Sequence, residues 1–263
     1  MKECIVVFDS GMGGITALIK AMEMLPQENF IFYGDNKNVP YGTKSYEEIQ
    51  KLMDRVIEDI TPFNPKSLVL ACNTATVSSA EYLRKKYKLP IIGMEPAIKP
   101  ALIDPKDQDK RVLLLATEAT SHSKKLSQLI SNVDKESRVD ILPMPSLVHF
   151  AENLQFDGPE LMEDIHCLLS SYDFNDYKAV VLGCTHFIWY IDFFHKILPP
   201  HIQLVDGNVG TIRQLSRRIV PTSGQEKGSV SIYFTKTITP EKKKFLEEAI
   251  PRKIQWLDSN SMK

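Results

Sequence analysis

Cys4-Ile5-Val6-Val7-Phe8-Asp9-Ser10-Gly11-Met12-Gly13-Gly14 decides the fold class. Five apolar residues run without a break, an acid, a hydroxyl and a glycine cluster follow, and Ile15, Leu18, Met22 and Leu25 then recur at helical spacing. A continuous apolar run marks a strand covered on both faces, the condition of strands in a parallel sheet. The same unit returns at Leu68–Ala71, Val112–Ala116 and Ala179–Leu182, with a second helical stripe, Val77, Ala80, Leu83 and Tyr87, after the first of these. Strand and helix alternate, so the chain is α/β. In open α/β sheets ligands bind beyond the carboxyl ends of the strands, which directs attention to the residues just after each apolar run.

The 263 residues, 43% hydrophobic and 25% charged, leave room for two lobes. Lys and Arg number 32 against 33 Asp and Glu. That balance gives no electrostatic ground for a nucleic acid or a membrane surface as partner, and a small soluble ligand fits better. The apolar run at Cys4–Phe8 is too short for a signal sequence, and no stretch is long enough to span a bilayer. Cys4, Cys72, Cys167 and Cys184 form no CxxC pair, which reads as reduced thiols in a cytoplasmic protein. Breaks in composition near Ala97–Lys110 and Leu198–Gln203 predict two crossings between similar lobes. Residues 1–96 plus 205–263 are expected to form the first and 97–204 the second. Each is expected to be a mostly parallel sheet flanked by helices, with the active site in the cleft between them. The tail from Thr222 carries no motif, and Glu241-Lys242-Lys243-Lys244 reads as a solvated helix face.

Three strand ends carry the chemistry: Asp9-Ser10-Gly11-Met12-Gly13-Gly14, Ala71-Cys72-Asn73-Thr74 and Gly183-Cys184-Thr185-His186. Two of them place a cysteine between an apolar strand and a helix, where backbone N–H groups and the helix dipole favour thiolate. The two cysteines lie about 110 residues apart, roughly one lobe. Inverting a stereocentre takes one group to remove a proton and another, on the opposite face, to return one, and two like thiols suit a reaction that runs both ways. Ser10, Asn73, Thr74 and Thr185 are suitable donors for a carboxylate and for developing carbanionic charge. A lone cysteine at a strand end is more often a small core residue, and it is the matched pair that favours catalysis. Cys72, Cys184 and His186 lack the paired spacing of a zinc site, so no metal is expected. Thr16 occupies the third glycine position of the dinucleotide fingerprint, so no redox cofactor is indicated.

Asp9 reads either as holder of the thiol proton or substrate ammonium, or as a helix cap. His186 reads as a catalytic assistant or a packed histidine, and Glu152 as its polarising partner or an exposed acid. Cys4 and Cys167, inside apolar stretches, read as structural.

With Tyr33-Gly34-Asp35, Pro40-Tyr41-Gly42-Thr43-Lys44 and Thr117-Glu118-Ala119-Thr120, these motifs resemble the glutamate racemase family in order and spacing, over about Ile5 to Arg218. The resemblance implies a two-lobed enzyme using neither pyridoxal phosphate nor metal, with Cys72 and Cys184 as its acid/base pair, the second-lobe cysteine acting on the L form. It also implies substrate contacts from Asp9, Ser10, Pro40, Tyr41, Gly42, Asn73, Thr74, Thr117, Thr120, Thr185 and His186, with Glu152 supporting His186. A homodimer and a supply of D-glutamate for peptidoglycan belong to the same implication. The chain departs from the family pattern at Ile188, where proline is usual after the aromatic residue, and at Gly207, where serine is common. A two-thiol racemase for aspartate or another small carboxylate is the nearest alternative, and the Pro40–Lys44 segment favours glutamate. A non-catalytic ligand-binding protein on the same fold would not need the paired thiols.

Overall fold

A computed structural model describes residues 3–103, 107 and 109–262. The chain divides into two compact units, one of residues 1–94 and 208–263, the other of residues 95–207. In chain order the strands are β1 (Cys4–Asp9), β2 (Phe30–Gly34), β3 (Pro65–Leu70), β4 (Ile91–Gly93), β5 (Arg111–Ala116), β6 (Val139–Pro143), β7 (Tyr177–Leu182), β8 (Gln203–Asp206), β9 (Val230–Phe234) and β10 (Ile254–Trp256).

The first unit holds a six-stranded sheet in the order β10-β9-β2-β1-β3-β4, every pair parallel. All six residues of β1 are buried, as its unbroken apolar run requires. Successive side chains alternate between faces. Cys4, Val6 and Phe8 therefore join the core that includes Ile49, Met53 and Val56 of helix Tyr46–Ile60, while Ile5 and Val7 point the other way. That helix starts with a capping box: the Ser45 hydroxyl accepts from the Glu48 N–H at 3.2 Å and the Glu48 carboxylate from the Ser45 N–H at 2.8 Å. The box fixes where the Pro40–Lys44 segment ends, and helix Tyr46–Ile60 then packs on helix Asn73–Lys86.

The second unit holds a four-stranded parallel sheet in the order β6-β5-β7-β8. Leu113 and Leu115 of β5 face a cluster formed with Leu147, Leu161, Ile165 and Phe187. Val112, Leu114 and Ala116 face a second cluster with Ile98, Leu102 and Leu126. Helices thus cover both faces of the sheet, as the unbroken apolar runs predict. Among the described residues no helix is long and apolar enough to cross a membrane.

Three expectations are corrected. A crossing after Leu204 would cut β8, but Val205 and Asp206 continue the pairing with Val181 and Leu182, and the chain leaves this unit only after Gly207. β8 is an edge strand, half-buried over its last three residues, so it lacks the apolar run that betrays a central one. The other crossing falls after Met94 instead of residue 96, and part of the Ala97–Lys110 break lies outside the described residues. Cys167 is exposed, because helix Pro159–Leu169 buries the stripe Leu161, Ile165 and Leu169 and turns Cys167 outward.

Candidate active site

In the first unit the ends of β2, β1 and β3 lie side by side, presenting Asp35, Asp9 and Cys72 in turn. Cys72 is the N-cap of the 14-residue helix Asn73–Lys86, and its sulfur accepts from the Ala75 N–H at 3.4 Å. The Ser10 hydroxyl lies 3.4 Å from the same sulfur, with either atom able to donate. A helix N-terminus and a hydroxyl are what a thiolate needs to be stabilised without a metal. Asn73 and Thr74 are buried at the start of this helix, and Asn73 Oδ1 has no hydrogen-bond partner among the described residues. A buried amide oxygen is rarely left unpaired.

Asp9 is fully buried, and its carboxylate accepts from the Gly11 N–H at 3.1 Å. The next helix begins at Ile15 with Gly14 as its N-cap, so Asp9 closes a two-residue turn instead of capping a helix. A Cβ on Gly14 would lie 2.5 Å from Asp9 Cβ and 3.1 Å from Ala71 Cβ. Glycine there lets the helix start hard against the strand ends.

Pro40 is exposed, Gly42 half-buried and Tyr41 buried. The turn Tyr41–Thr43 packs against helix Asn73–Lys86, which brings the Tyr41 ring into the core cluster that contains Cys72. The Tyr41 hydroxyl donates to Asp35 at 2.6 Å. Burial, then the Asp35 charge, drives the Tyr41 phenol far above its ordinary value, so it stays protonated.

In the second unit Cys184 follows β7, and Thr117 follows β5 on the adjacent strand. The Thr117 hydroxyl bonds to that of Thr120 at 3.1 Å, and both residues are buried. Cys184 precedes a 3-10 turn, Thr185–Tyr190, and not the α-helix expected from the sequence, so no long helix dipole points at its sulfur. A different device stands there. His186 Nδ1 lies 3.7 Å from the Cys184 sulfur, and His186 Nε2 lies 2.8 Å from Glu152 Oε1. Burial alone would lower the His186 proton affinity. The bonds to Cys184 and Glu152 outweigh it and hold the imidazole well above its usual value. When protonated it can donate on both sides, to the sulfur and to the carboxylate. Glu152, the last residue of helix Pro145–Glu152, is thereby the partner of His186 and not an exposed acid. Thr185 is buried beside them, and Ile188 sits half-buried within the 3-10 turn.

Residues 12–215 match the model of the family described as Asp/Glu/Hydantoin racemase. The chain belongs to that family. This racemase is 40% identical over 235 residues to a glutamate racemase of Lachnospira eligens, covering 87% of this chain and 89% of the relative. Its fold matches the glutamate racemase isoform RacE1 of Bacillus anthracis, with a TM-score of 0.86, 24% identity and 98% of each chain covered. It also matches the Escherichia coli glutamate racemase solved with L-glutamate and the activator UDP-MurNAc-ala, with a TM-score of 0.82, 26% identity, and 97% and 98% covered.

Asp35 has no role in the sequence pattern of this racemase beyond its place in a motif. Its position after the apolar run Phe30–Tyr33 was the available signal, because that run is one more buried strand end. Among the described residues, no group of three or more His, Cys, Asp or Glu side chains converges as a metal site.

Proposed function

We propose that this racemase interconverts L- and D-glutamate with Cys72 and Cys184 as its two acid/base groups, working from opposite faces of the substrate. The observation that carries this reading is the matched placement of two buried cysteines, each at the carboxyl end of a parallel strand and each with its own donors: Ser10 and the Ala75 N–H for Cys72, His186 for Cys184. One thiolate takes the α-proton, so a Cα–H bond breaks and an S–H bond forms. The opposite thiol then gives its proton to the other face of Cα, and the enzyme is left with its two sulfurs in exchanged protonation states. The carbanion's charge passes into the α-carboxylate, where Asn73, Thr74 and Thr185 supply donors. Asp9 balances the ammonium group, while Gly42 with the Tyr41 backbone receives the side-chain carboxylate, and Thr117 and Thr120 line the far side. Nothing in this sequence of steps asks for pyridoxal phosphate or a metal. The resemblance supports a homodimer in the cytoplasm whose D-glutamate serves peptidoglycan synthesis.

The test follows each enantiomer in deuterated water by proton NMR and chiral chromatography. Product carries α-deuterium from the first turnover while remaining substrate stays protiated, and Cys72→Ser and Cys184→Ser each abolish inversion. Turnover of aspartate without glutamate would overturn the specificity. Inversion that depends on added pyridoxal phosphate or metal would overturn the mechanism.

A further inference from the structure

Asp35 is buried, and four hydrogen bonds use both of its carboxylate oxygens. Asn38 Nδ2 donates to Oδ1 at 2.9 Å and to Oδ2 at 3.0 Å, Thr235 Oγ1 donates to Oδ1 at 2.8 Å, and Tyr41 OH donates to Oδ2 at 2.6 Å. The backbone N–H of Asp35 donates to the Asp9 carbonyl at 2.9 Å. One side chain therefore joins its own loop at Asn38 and the turn at Tyr41 to a segment distant in sequence, Thr235 just after β9. Thr235 is itself locked, since its hydroxyl accepts from the Lys37 N–H at 3.0 Å and its own N–H donates to the Gly34 carbonyl at 3.0 Å. Thr235 lies beyond residue 215, where the family match ends.

Bonds from a carboxylate to well-placed donors are short, directional and about twice as strong as neutral ones. Here they decide which part of Tyr41 meets a ligand. The phenolic proton is committed to Asp35, so Tyr41 offers substrate its backbone N–H and its ring, and those are only as well placed as the hydroxyl anchor beneath them. An amide at position 35 would replace one acceptor oxygen by an NH2 that faces the Asn38 NH2 and one of the two hydroxyl donors, and would weaken the hold on either Tyr41 or Thr235.

We infer that Asp35 is a positioning residue, and that through Asp35 and Thr235 strand β9 holds the Tyr41–Gly42 turn in its substrate-binding geometry. The inference rests on the glutamate reading above, because that reading gives the turn its ligand. Its effect is on affinity, since the turn contacts the distal carboxylate and not the reacting carbon.

The experiment compares Thr235→Val, which keeps the shape and removes the hydroxyl, with Thr235→Ser, which keeps the hydroxyl, and with Asp35→Asn. Thr235→Val and Asp35→Asn should each raise KM, and the calorimetric Kd for D-glutamate, about tenfold, the loss of one bond to a charged group. Both should leave kcat within about threefold, and Thr235→Ser should behave as the parent. If Asp35→Asn fails to fold, Thr235→Val with its serine control carries the test. The inference is overturned if Thr235→Val binds D-glutamate as the parent does, or if it loses kcat and melting temperature with KM unchanged. It is equally overturned if the serine variant is as impaired as the valine one. A parent chain that binds no glutamate sinks the functional reading first, and a parent that binds and racemises glutamate while Thr235→Val stays normal sinks only the role of Asp35.

Discussion

Replacing Glu152 by Gln tests the electrostatic device at Cys184 while changing almost no volume. His186 Nε2 and Glu152 Oε1 are 2.8 Å apart, and the Gln oxygen can accept the same bond, so the change removes charge and leaves geometry. A buried bond to a charged partner contributes about 1.5–3 kcal/mol and a neutral one about 0.5–1.5 kcal/mol, so the difference is on the order of 1 kcal/mol. If that loss falls on the transition state, kcat/KM drops about fivefold. L- and D-glutamate have equal free energies, so the drop must be the same in both directions, although kcat and KM need not share it equally.

The sign with pH follows from the raised proton affinity of His186. A group whose folded value lies above its unfolded one contributes stability that is fully present below the unfolded value, about pH 6.5 for histidine. That contribution is lost as pH rises through the folded value. Glu152→Gln brings the folded value back toward the ordinary one. The melting-temperature gap between parent and variant should therefore be widest below about pH 6.5 and close at alkaline pH. The alkaline limb of the kcat/KM profile should move to lower pH. Racemisation rates by circular dichroism, melts across pH and the 15N shifts of the His186 ring read all of this. A variant with parental rates and an unmoved alkaline limb would show that Glu152 does nothing for His186.

Asn73→Ala removes a buried oxygen that has no hydrogen-bond partner among the described residues, so stability should change by less than about 1 kcal/mol while the Kd for glutamate weakens at least about tenfold; a large melting loss with normal binding would make Asn73 structural. At Gly183 a Cβ would sit 2.6 Å from the Leu115 carbonyl oxygen, across the pairing of β5 with β7. Gly183→Ala should cost about 1–3 kcal/mol in thermal or urea melts and lower kcat by shifting Cys184, and a normal melt with normal kcat would contradict the tight fit. Lys66 lies 2.6 Å from buried Glu28, which also accepts two bonds from Thr222, each at 2.8 Å. Although burial works against it, these donors hold the Glu28 carboxyl below its ordinary value, so its contribution is present above about pH 4.3 and lost as pH falls through the folded value. Lys66→Met should destabilise by about 3 kcal/mol at neutral pH, and by less in acid; a deficit independent of pH would place the effect elsewhere.

How much of this was legible in the sequence depended on how each element is buried. β1, β3, β5 and β7 occupy inner positions of their sheets, and burial on both faces writes an unbroken apolar run into the chain. Edge strands β8 and β10 are half-buried or exposed and leave no such mark, which is why the crossing was misplaced at Leu204. The cysteines were visible because each ends a run. The choice between the two readings of Glu152 was not visible, because it depends on how helix Pro145–Glu152 meets the 3-10 turn 34 residues later. The bond from Thr235 to Asp35 spans 200 residues, and no local pattern in the tail announces it.

On the proposed two-thiol mechanism, the thiols are alike in position and unlike in support, and that difference bears on how a symmetric reaction is run. Cys72 sits on the N-terminus of a 14-residue helix, where aligned peptide dipoles supply partial positive charge without any titrating group. Cys184 precedes a six-residue 3-10 turn that has little such field, and His186, its proton affinity raised by Cys184 and Glu152, stands in its place. A fixed dipole does not respond to pH, but an imidazolium does. Any pH dependence that comes from the support of a thiol should therefore arise on the Cys184 side. Because the equilibrium constant of racemisation is one, that one-sided sensitivity cannot favour either enantiomer in kcat/KM. It is confined to the way each direction divides its rate between kcat and KM, which is where the asymmetry of the two bases has to be measured.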